Sequence, residues 1–295
     1  MTGGPTSRLA ALVLLTLLAA ALPRPALALT VVFSPARPGP GDVVLVRVQG
    51  APPDLAGEWS GRPLRFFPVR GGVAALAGVD LDVPPGPVAW RLVRPMARGG
   101  LLVVGKGSVT VQPRSFETQH LTLPPAQVDL DPQTLARVRA EQAELAAALA
   151  DSAGARVWRG PFRTPIEGGH ATGGFGLRRI INNQKRNPHA GYDWAAPRGT
   201  PVLAAHAGRV ALVAEHFFAG RLVVLDHGLG LFTLYFHLDE SRVTTGESVP
   251  PGQPIGTVGL TGRTTGPHLH FAVLLGGARV DPMTLLALVL PPDGS

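Results

Sequence analysis

Hydrophobic and polar residues alternate over short stretches in the first half of the chain. Valines occupy every second position in residues 44–48 and 109–111, and residues 87–93 form another strand-like run. Proline and glycine separate these runs, as turn residues separate strands. Several short strands at close spacing predict a small antiparallel sandwich of immunoglobulin-like type over residues 29–112.

A helical pattern follows the predicted sandwich. Asp131 is suited to cap a helix whose first turn holds Pro132, and apolar side chains then recur at helical spacing as far as Leu149. The helix should end at the Asp-Ser-Ala-Gly break that begins at Asp151. We therefore predict a linker over residues 113–157 whose helix connects two β-domains.

The second half returns to short strands. Its apolar runs are rich in valine and leucine and are bounded by glycine and proline, which is typical of an all-β domain. This pattern predicts a glycine-rich β-sheet domain over residues 158–295 and an all-β fold class for the chain. The predicted strands cover residues 201–205, 208–213, 222–226, 231–237, 252–258 and 268–273.

The composition narrows the possible functions. The chain has 295 residues, of which 45% are hydrophobic and 16% charged, so it can bury substantial cores. It has no cysteine, which excludes a disulfide framework, thiolate zinc ligands and a cysteine nucleophile. Aromatic residues make up only 6%, and the net charge of +7 comes mostly from arginines spread along the chain. We therefore expect no nucleic-acid partner.

The first 28 residues have the three parts of a secretory signal peptide. Arg8 supplies the positive charge, residues 9–22 form an uninterrupted apolar run, and residues 26–28 read Ala-Leu-Ala, a small-x-small cleavage site. The alternative is an uncleaved membrane anchor, but 14 apolar residues fall short of the roughly 20 that cross a bilayer. We predict cleavage, export to the periplasm or the extracellular cell envelope, and no stable membrane span in the mature chain.

The spacing of histidines in the second half points to a metal site. His268 and His270 are two residues apart in a predicted strand, so their side chains share one face. His189 and Asp193 are four apart, and we expect Gly191 between them to let the backbone curve so that both face one centre. Two imidazoles and a carboxylate suit Zn²⁺, with the fourth tetrahedral position left to water. Each pair alone is weak evidence, and geometry does not decide which member of the H-x-H pair binds the metal.

A further histidine closes a predicted strand. His237 follows Tyr235 on the same face of the run at residues 231–237. It has no obvious partner in its own segment. It therefore either supplies acid/base chemistry from a neighbouring strand or is an ordinary strand-end histidine.

The segments around these residues, taken together, resemble the lysostaphin-type zinc endopeptidases of the cell wall. The resemblance covers about residues 158–290, with the motifs in the family's order. A softer similarity links the sandwich and the stretch from Ser115 to Ala150 to an N-terminal domain found attached to such peptidases. The matching motifs are His189-Ala-Gly-Tyr-Asp193, Leu225-Asp226-His227-Gly228, Tyr235-Phe236-His237-Leu238, Gly259-Leu-Thr-Gly262, Gly266-Pro267-His268-Leu269-His270 and Asp281-Pro282.

The resemblance implies a role for each matched site residue. His189, Asp193 and His270 would hold one zinc ion per chain, while His237 and His268 would do acid/base work and stabilise the transition state. It also implies a zinc metalloendopeptidase that hydrolyses peptide cross-links of peptidoglycan. No H-E-x-x-H glutamate is present, so a histidine would accept the proton.

Two other functions remain to be weighed. Members of this family that have lost metal ligands act as wall-binding activators of other hydrolases, which gives a non-enzymatic alternative. The glycine-rich stretch from Val249 to Gly259 resembles the barrel of lipoyl or biotinyl carriers. Such carriers need an exposed lysine on a hairpin, whereas the lysines of this chain, Lys106 and Lys185, lie elsewhere, so this function is rejected. Among the remaining histidines, His206 is interpreted as a surface residue.

A basic cluster precedes His189 and bears on the substrate. Arg178 and Arg179 are either part of a solvated loop or bind carboxylates of stem peptides, because a guanidinium fork matches a carboxylate in two hydrogen bonds. Tyr235 is the third predicted substrate contact. Diaminopimelate stems carry free carboxylates beside the D-alanyl cross-link, whereas glycine bridges carry none. We therefore favour a D,D-endopeptidase acting on directly cross-linked peptidoglycan.

Overall fold

A computed structural model describes residues 1, 29–122 and 128–294. The predicted signal peptide lies outside the described residues, apart from Met1, and so does a short part of the predicted linker. Within the described ranges, no helix is long and apolar enough to cross a membrane.

The N-terminal part is a sandwich of two four-stranded antiparallel sheets. The strands follow the order β1-β2-β6-β5 in one sheet and β4-β3-β7-β8 in the other, and a shared core of valines, alanines and Trp59 fills the space between them. This confirms the predicted short strands, while the immunoglobulin-like type stays a prediction. The strands are β1 (Thr30–Ser34), β2 (Val43–Gln49), β3 (Ala56–Trp59), β4 (Arg62–Leu64), β5 (Phe67–Val69), β6 (Gly72–Gly78), β7 (Gly86–Pro95) and β8 (Leu101–Val111).

The segment that follows contains a short strand and the predicted helix. Strand β9 (Thr118–Leu121) was not expected from the sequence. Helix α1 (Pro132–Ala150) begins where predicted, because the Asp131 carboxylate accepts the first free N–H groups of the helix. Apolar side chains on one side of the helix, among them Leu145 and Leu149, pack against the sheet of the C-terminal half. The helix is therefore part of the C-terminal structure and not only a connector.

The C-terminal half is built on a ten-stranded sheet, as the predicted strands indicated. Its central order is β10-β13-β20-β17-β16-β15-β18, and β9 joins β11 and β12 in a separate three-stranded sheet. The strands are β10 (His170–Gly173), β11 (Arg178–Ile181), β12 (Gln184–Lys185), β13 (Gly191–Ala195), β14 (Pro201–Leu203), β15 (Gly208–His216), β16 (Gly220–Asp226), β17 (Leu231–Ser241), β18 (Ser248–Val249), β19 (Pro254–Val258), β20 (His268–Leu275) and β21 (Ala278–Val280), and the chain continues into helix α2 (Pro282–Leu286).

The two halves share a hydrophobic core, which the sequence pattern did not predict. Strand β2 is buried on both faces, so Val43 and Leu45 join the core of the C-terminal half while the alternating valines fill the sandwich. Phe67 of the sandwich packs edge-on against Trp158, with ring centroids 5.3 Å apart. The Arg279 guanidinium also donates to both oxygens of Asp80 across the contact. The sandwich is therefore fixed against the C-terminal half.

A buried polar network lies beneath the large sheet. His227 is fully buried; its Nδ1–H donates to the Ala207 carbonyl at 2.7 Å, and its Nε2 lies 2.7 Å from the Thr233 hydroxyl. The Tyr235 hydroxyl lies 3.0 Å from that of Thr233. His206, interpreted above as a surface residue, is also buried and contacts a backbone carbonyl through Nε2, so that interpretation is wrong.

The buried His227 gives the fold a defined pH dependence. Burial, only partly offset by the bond to Ala207, lowers the pKa of His227 to about 4, whereas the unfolded residue titrates near 6.5. Between these values the unfolded chain binds the proton more readily, so acidification favours unfolding. Above pH 6.5, His227 is neutral in both states and does not reduce the free energy of unfolding. Toward pH 4 this free energy should fall by about 3 kcal/mol, because the unfolded chain takes up the proton.

Denaturant unfolding over pH 4–7 in zinc-free buffer measures this contribution. The decline between pH 6.5 and pH 4 should be smaller in His227→Gln than in the unmodified chain, because the substituted side chain does not titrate. The exposed His170→Gln is the matched control and should keep the original profile. Equal declines in His227→Gln and the unmodified chain would contradict the prediction.

Candidate active site

Strand pairing brings the predicted metal ligands together. Strands β13 and β20 pair antiparallel in a register that places Asp193 opposite His270 and Ala195 opposite His268. Residues directly opposite on paired strands present their side chains to the same face. His189 precedes β13 and reaches the same point from the loop between β12 and β13.

Three side-chain atoms converge at this point. Asp193 Oδ1 lies 3.0 Å from His189 Nε2 and 2.7 Å from His270 Nδ1, and the two nitrogens are 2.9 Å apart. All three residues are buried or nearly so. The Nδ1–H of His189 donates to the Gly174 carbonyl at 2.8 Å, which leaves Nε2 directed at the centre.

Two glycines make room for these side chains. A Cβ on Gly191 would lie 2.6 Å from His270 Nε2 and 2.7 Å from a backbone carbonyl oxygen, and one on Gly173 would lie 2.7 Å from Asp193 Oδ2. Gly191 lies within the regular β13 pairing and is not among the residues with positive φ. The expectation that Gly191 lets the backbone curve is therefore corrected: the glycine is required because His270 occupies the space of a side chain.

His237 reaches the site through a local reversal of its strand. Its φ of 61° lies in the left-handed region, which costs a non-glycine residue about 1 kcal/mol or more. Its N–H donates to the Ala219 carbonyl and its Nδ1–H to the Thr261 carbonyl, and these bonds hold the conformation. The ring lies beside His268, with centroids 4.7 Å apart.

The reversal at His237 corrects the prediction for Tyr235. In a regular strand the two side chains would share a face, but Tyr235 is fully buried in the core and its hydroxyl accepts from the Ala205 N–H. Tyr235 is therefore not at the surface of the site, against the prediction that it contacts substrate. The residue between them, Phe236, faces the site and stacks on His270 at 5.2 Å with an interplanar angle of 13°.

His268 is oriented by its own loop. Its Nδ1–H donates to the Gly266 carbonyl at 2.9 Å, and the Thr264 hydroxyl lies 3.0 Å from the same nitrogen. The Nε2 atom therefore faces the centre, 3.8 Å from Asp193 Oδ1. His237 is held in the same way through Nδ1, so in the neutral imidazoles both Nε2 atoms carry a lone pair.

The charges in the site are set by burial and hydrogen bonding. Burial alone would raise the pKa of Asp193, but its contacts with the His189 and His270 rings outweigh burial and hold the pKa far below its usual range. Burial, followed by the neighbouring His270 and His268, lowers the pKa of His237 to about 3. Burial also lowers the pKa of His270 despite its bond to Asp193. The carboxylate is ionised, and His237 and His270 are neutral near pH 7.

Two adjacent cavities open onto these residues. One, of about 260 Å³, is bordered by the loop at residues 263–267 and by β9 and β11. The other, of about 290 Å³, is bordered by helix α1 and Phe218. Both cavities are lined by Arg179, His237, Arg263 and His270. The histidines therefore lie in a cleft that continues on both sides of them.

The two arginines predicted as substrate contacts face different ways. Arg179 lines both cavities, and its Nη2 lies 3.3 Å from Asp193 Oδ2. Arg178, one position earlier on β11, lies 3.5 Å from Asp82 of the sandwich and does not line either cavity. Because successive strand residues face opposite sides, only one of the pair can reach the cleft. The prediction for Arg178 is therefore corrected.

Several residues of the cleft were missed by sequence reasoning. Arg263 belongs to none of the motifs, although its position five residues before His268 could have indicated that it lies near the site. Gln119 on β9 and Gln142 on α1 come from segments that were interpreted only as linker. Nothing in a local pattern shows that a linker borders a distant cleft.

The donor set fits a zinc ion. Two imidazole nitrogens and one carboxylate oxygen within 3.0 Å of one another can all reach an ion at about 2.0–2.2 Å, and His–Asp donor sets are typical of catalytic zinc sites. Gly174 supplies the backbone acceptor that usually orients a zinc-bound histidine. His237 and His268 lie beside the set and leave the open side of the site accessible from the cleft.

Adding a methyl group at Gly191 should weaken zinc binding. A Cβ in Gly191→Ala must displace His270, so we expect zinc affinity to fall roughly 10–100-fold. Gly154→Ala is the matched control, because Gly154 is exposed and nothing lies within 4 Å of its Cβ position. Competition with a chelator measures both affinities, with His189→Ala and Asp193→Ala as references for loss of the ion. Equal affinities in the two glycine variants would refute the packing argument.

The C-terminal half matches known proteins over these same residues. The model of peptidase family M23 matches residues 187–282. The chain is 40% identical over 136 residues to the peptidoglycan DD-endopeptidase ShyB of Vibrio cholerae, covering 45% of this chain and 32% of that protein. It is 35% identical over 127 residues to the DD-carboxypeptidase/endopeptidase Mpg of Neisseria meningitidis, covering 38% and 29%. The chain thus spans about a third of the length of these relatives.

One solved structure is similar to most of this chain. It is the crystal structure of a Pseudomonas aeruginosa protein assigned to peptidase M23, which is 32% identical to this chain. The match has a TM-score of 0.68 and covers 85% of this chain and 95% of that one, so it includes the sandwich as well as the site. The motifs, the converging donor set and this likeness agree, and the chain belongs to peptidase family M23.

Proposed function

We propose that this protein is a zinc-dependent endopeptidase that hydrolyses peptide cross-links of peptidoglycan. The observation that carries the proposal is the convergence of a His/Asp/His donor set with two further histidines whose Nε2 atoms face it from one cleft. His189, Asp193 and His270 would hold the ion. When bound there, zinc polarises a scissile carbonyl and lowers the pKa of a water toward neutrality.

His237 and His268 transfer the protons of the reaction. Hydrolysis needs a base that takes a proton from the attacking water and an acid that gives one to the leaving amine. His237 and His268 each offer a Nε2 lone pair, while their Nδ1–H groups are held by backbone carbonyls. The Nε2 lone pair is available because the ring is neutral before the reaction, and a proton accepted there can pass to the amine.

The substrate class rests on the relatives and on the cleft. ShyB is named a peptidoglycan DD-endopeptidase, and Mpg a DD-carboxypeptidase/endopeptidase. The cleft extends on both sides of the histidines, as cleavage within a chain requires. Arg179 in that cleft supplies a cation for the carboxylates of diaminopimelate stems. These points favour D,D-cross-links over glycine bridges.

Export is part of the proposal. Peptidoglycan lies outside the cytoplasmic membrane, so an enzyme that cuts it must be secreted. The signal peptide predicted for residues 1–28 meets this need, and we assign the mature chain to the periplasm or the cell envelope.

The non-enzymatic alternative has less support. An activator that has lost its metal would be expected to lack one or more of the ligands. Here the three donors lie together and His237 and His268 lie beside them, which supports the enzymatic proposal over the activator.

Substitution of the two bases should separate catalysis from metal binding. His237→Ala and His268→Ala should retain zinc, because neither side chain belongs to the donor set, but lose roughly 10²–10⁴-fold in activity. Zinc content and release of fragments from sacculi measure the two effects. The exposed His170→Ala is the control and should keep both properties. Loss of zinc from His237→Ala or His268→Ala would overturn this division of roles.

The bond that is cut can be read from the products. Sacculi with direct D-alanyl–diaminopimelate cross-links should yield monomeric muropeptides, and sacculi with glycine bridges should be cut much more slowly. Mass spectrometry of the released fragments distinguishes the two. Faster cleavage within the glycine bridges would contradict the assignment.

A further inference from the structure

Two arginines lie where the two cavities meet. Arg179 comes from β11, and Arg263 from the loop between β19 and β20. The Arg263 guanidinium lies over the Phe218 ring, 4.2 Å from its centroid, and its backbone N–H donates to the Phe218 carbonyl. Both arginines line both cavities together with His237 and His270. Two cations on different elements therefore border the position of the reaction.

The positive charge at this point exceeds the negative charge. Among the described residues that line the first cavity, Asp193 is the only acid, and its oxygens already contact His189, His270 and Arg179. The acid of the second cavity, Glu141, accepts from Arg137 and from a backbone N–H. Zinc would compensate Asp193 further. The cavities therefore carry a net positive charge beside the donor set, which favours an anionic group of the substrate.

Arg179 is partly exposed at the cleft, with 27% of its side chain open to solvent. A carboxylate accepts two parallel hydrogen bonds from the fork of a guanidinium. The arginines of this cluster repel one another: burial, and after it the charges of Arg179 and Arg186, lower the pKa of Arg263. A bound carboxylate would relieve that repulsion.

The position of the clamp identifies the carboxylate. Arg179 Nη2 lies 3.3 Å from an oxygen of Asp193, so it can reach only substrate groups within a few bonds of the scissile carbonyl. In a D-alanyl–diaminopimelate cross-link, the carbon that carries the scissile nitrogen also carries a free carboxylate, three bonds from the carbonyl carbon. In a glycine bridge the same position continues into an uncharged amide.

We propose that Arg179 and Arg263 form a clamp for the free carboxylate on the residue that leaves as the amine. This inference rests on the proposed function and adds the feature that selects the bond. It has a direct chemical consequence: a terminal D-alanine carries the same carboxylate in the same position, so the site should also remove terminal D-alanine. Amidation of the carboxylate removes the charge and should make a cross-link a poor substrate.

Matched substrates test the clamp. The unmodified zinc-loaded protein should cleave a muropeptide dimer with the free carboxylate roughly 10–100-fold faster in kcat/KM than the same dimer with that carboxylate amidated. The Arg263 guanidinium lies over the Phe218 ring, and Arg263→Gln should lose this discrimination because cleavage of the free acid slows while cleavage of the amide stays the same. Arg178→Gln is the matched control on β11 and should discriminate normally. Zinc content is measured in each variant.

A binding measurement separates the clamp from the hydrolytic proposal. Calorimetric titration of His268→Ala with the two dimers should show tighter binding of the free acid, and the preference should vanish when Arg263→Gln is added. Equal binding of acid and amide, or cleavage of both dimers at the same rate by the unmodified protein, would overturn the clamp. If neither dimer is cleaved while the acid binds tighter, the hydrolytic proposal fails and the clamp stands.

Discussion

The carboxylate of Asp193 is buried and ionised at once, a combination that costs free energy unless donors or a cation compensate it. Here compensation comes from His189, His270 and Arg179, which arrive from a loop, a paired strand and a second sheet. The antiparallel register of β13 and β20 places His270 directly opposite Asp193. The arrangement of the active site thus follows from the need to compensate one buried carboxylate with neighbouring polar and charged side chains.

Close packing around that charge explains features that lie outside the donor set. Gly191 and Gly173 are needed because His270 and Asp193 occupy the space of their side chains. Strand β20, which carries His268 and His270, continues into the core shared with the sandwich. Gly78 of the sandwich approaches Ala278 so closely that a Cβ on it would lie 2.7 Å from the Ala278 Cβ. The sandwich thereby supports the sheet from which the ligands project.

Sequence reasoning found the elements that local pattern determines. The strands, the cap at Asp131 and the choice of four histidines and Asp193 as site residues follow from period, capping chemistry and motif. It placed Tyr235 wrongly because a strand period of two assumes regular backbone, whereas His237 adopts a left-handed conformation held by long-range hydrogen bonds. It missed Arg263 and the shared core because both depend on which surfaces meet in three dimensions. No local pattern contains that information.

The position of the ion tests this account most directly. A crystal structure of the zinc-loaded chain, with anomalous data collected at the zinc edge, would locate it without reference to activity. We expect a single strong peak within about 2.0–2.2 Å of His189 Nε2, Asp193 Oδ1 and His270 Nδ1, with the Nδ1 atoms of His237 and His268 still bonded to their carbonyls. A peak coordinated by His237 or His268 in place of any of these three ligands would contradict the account.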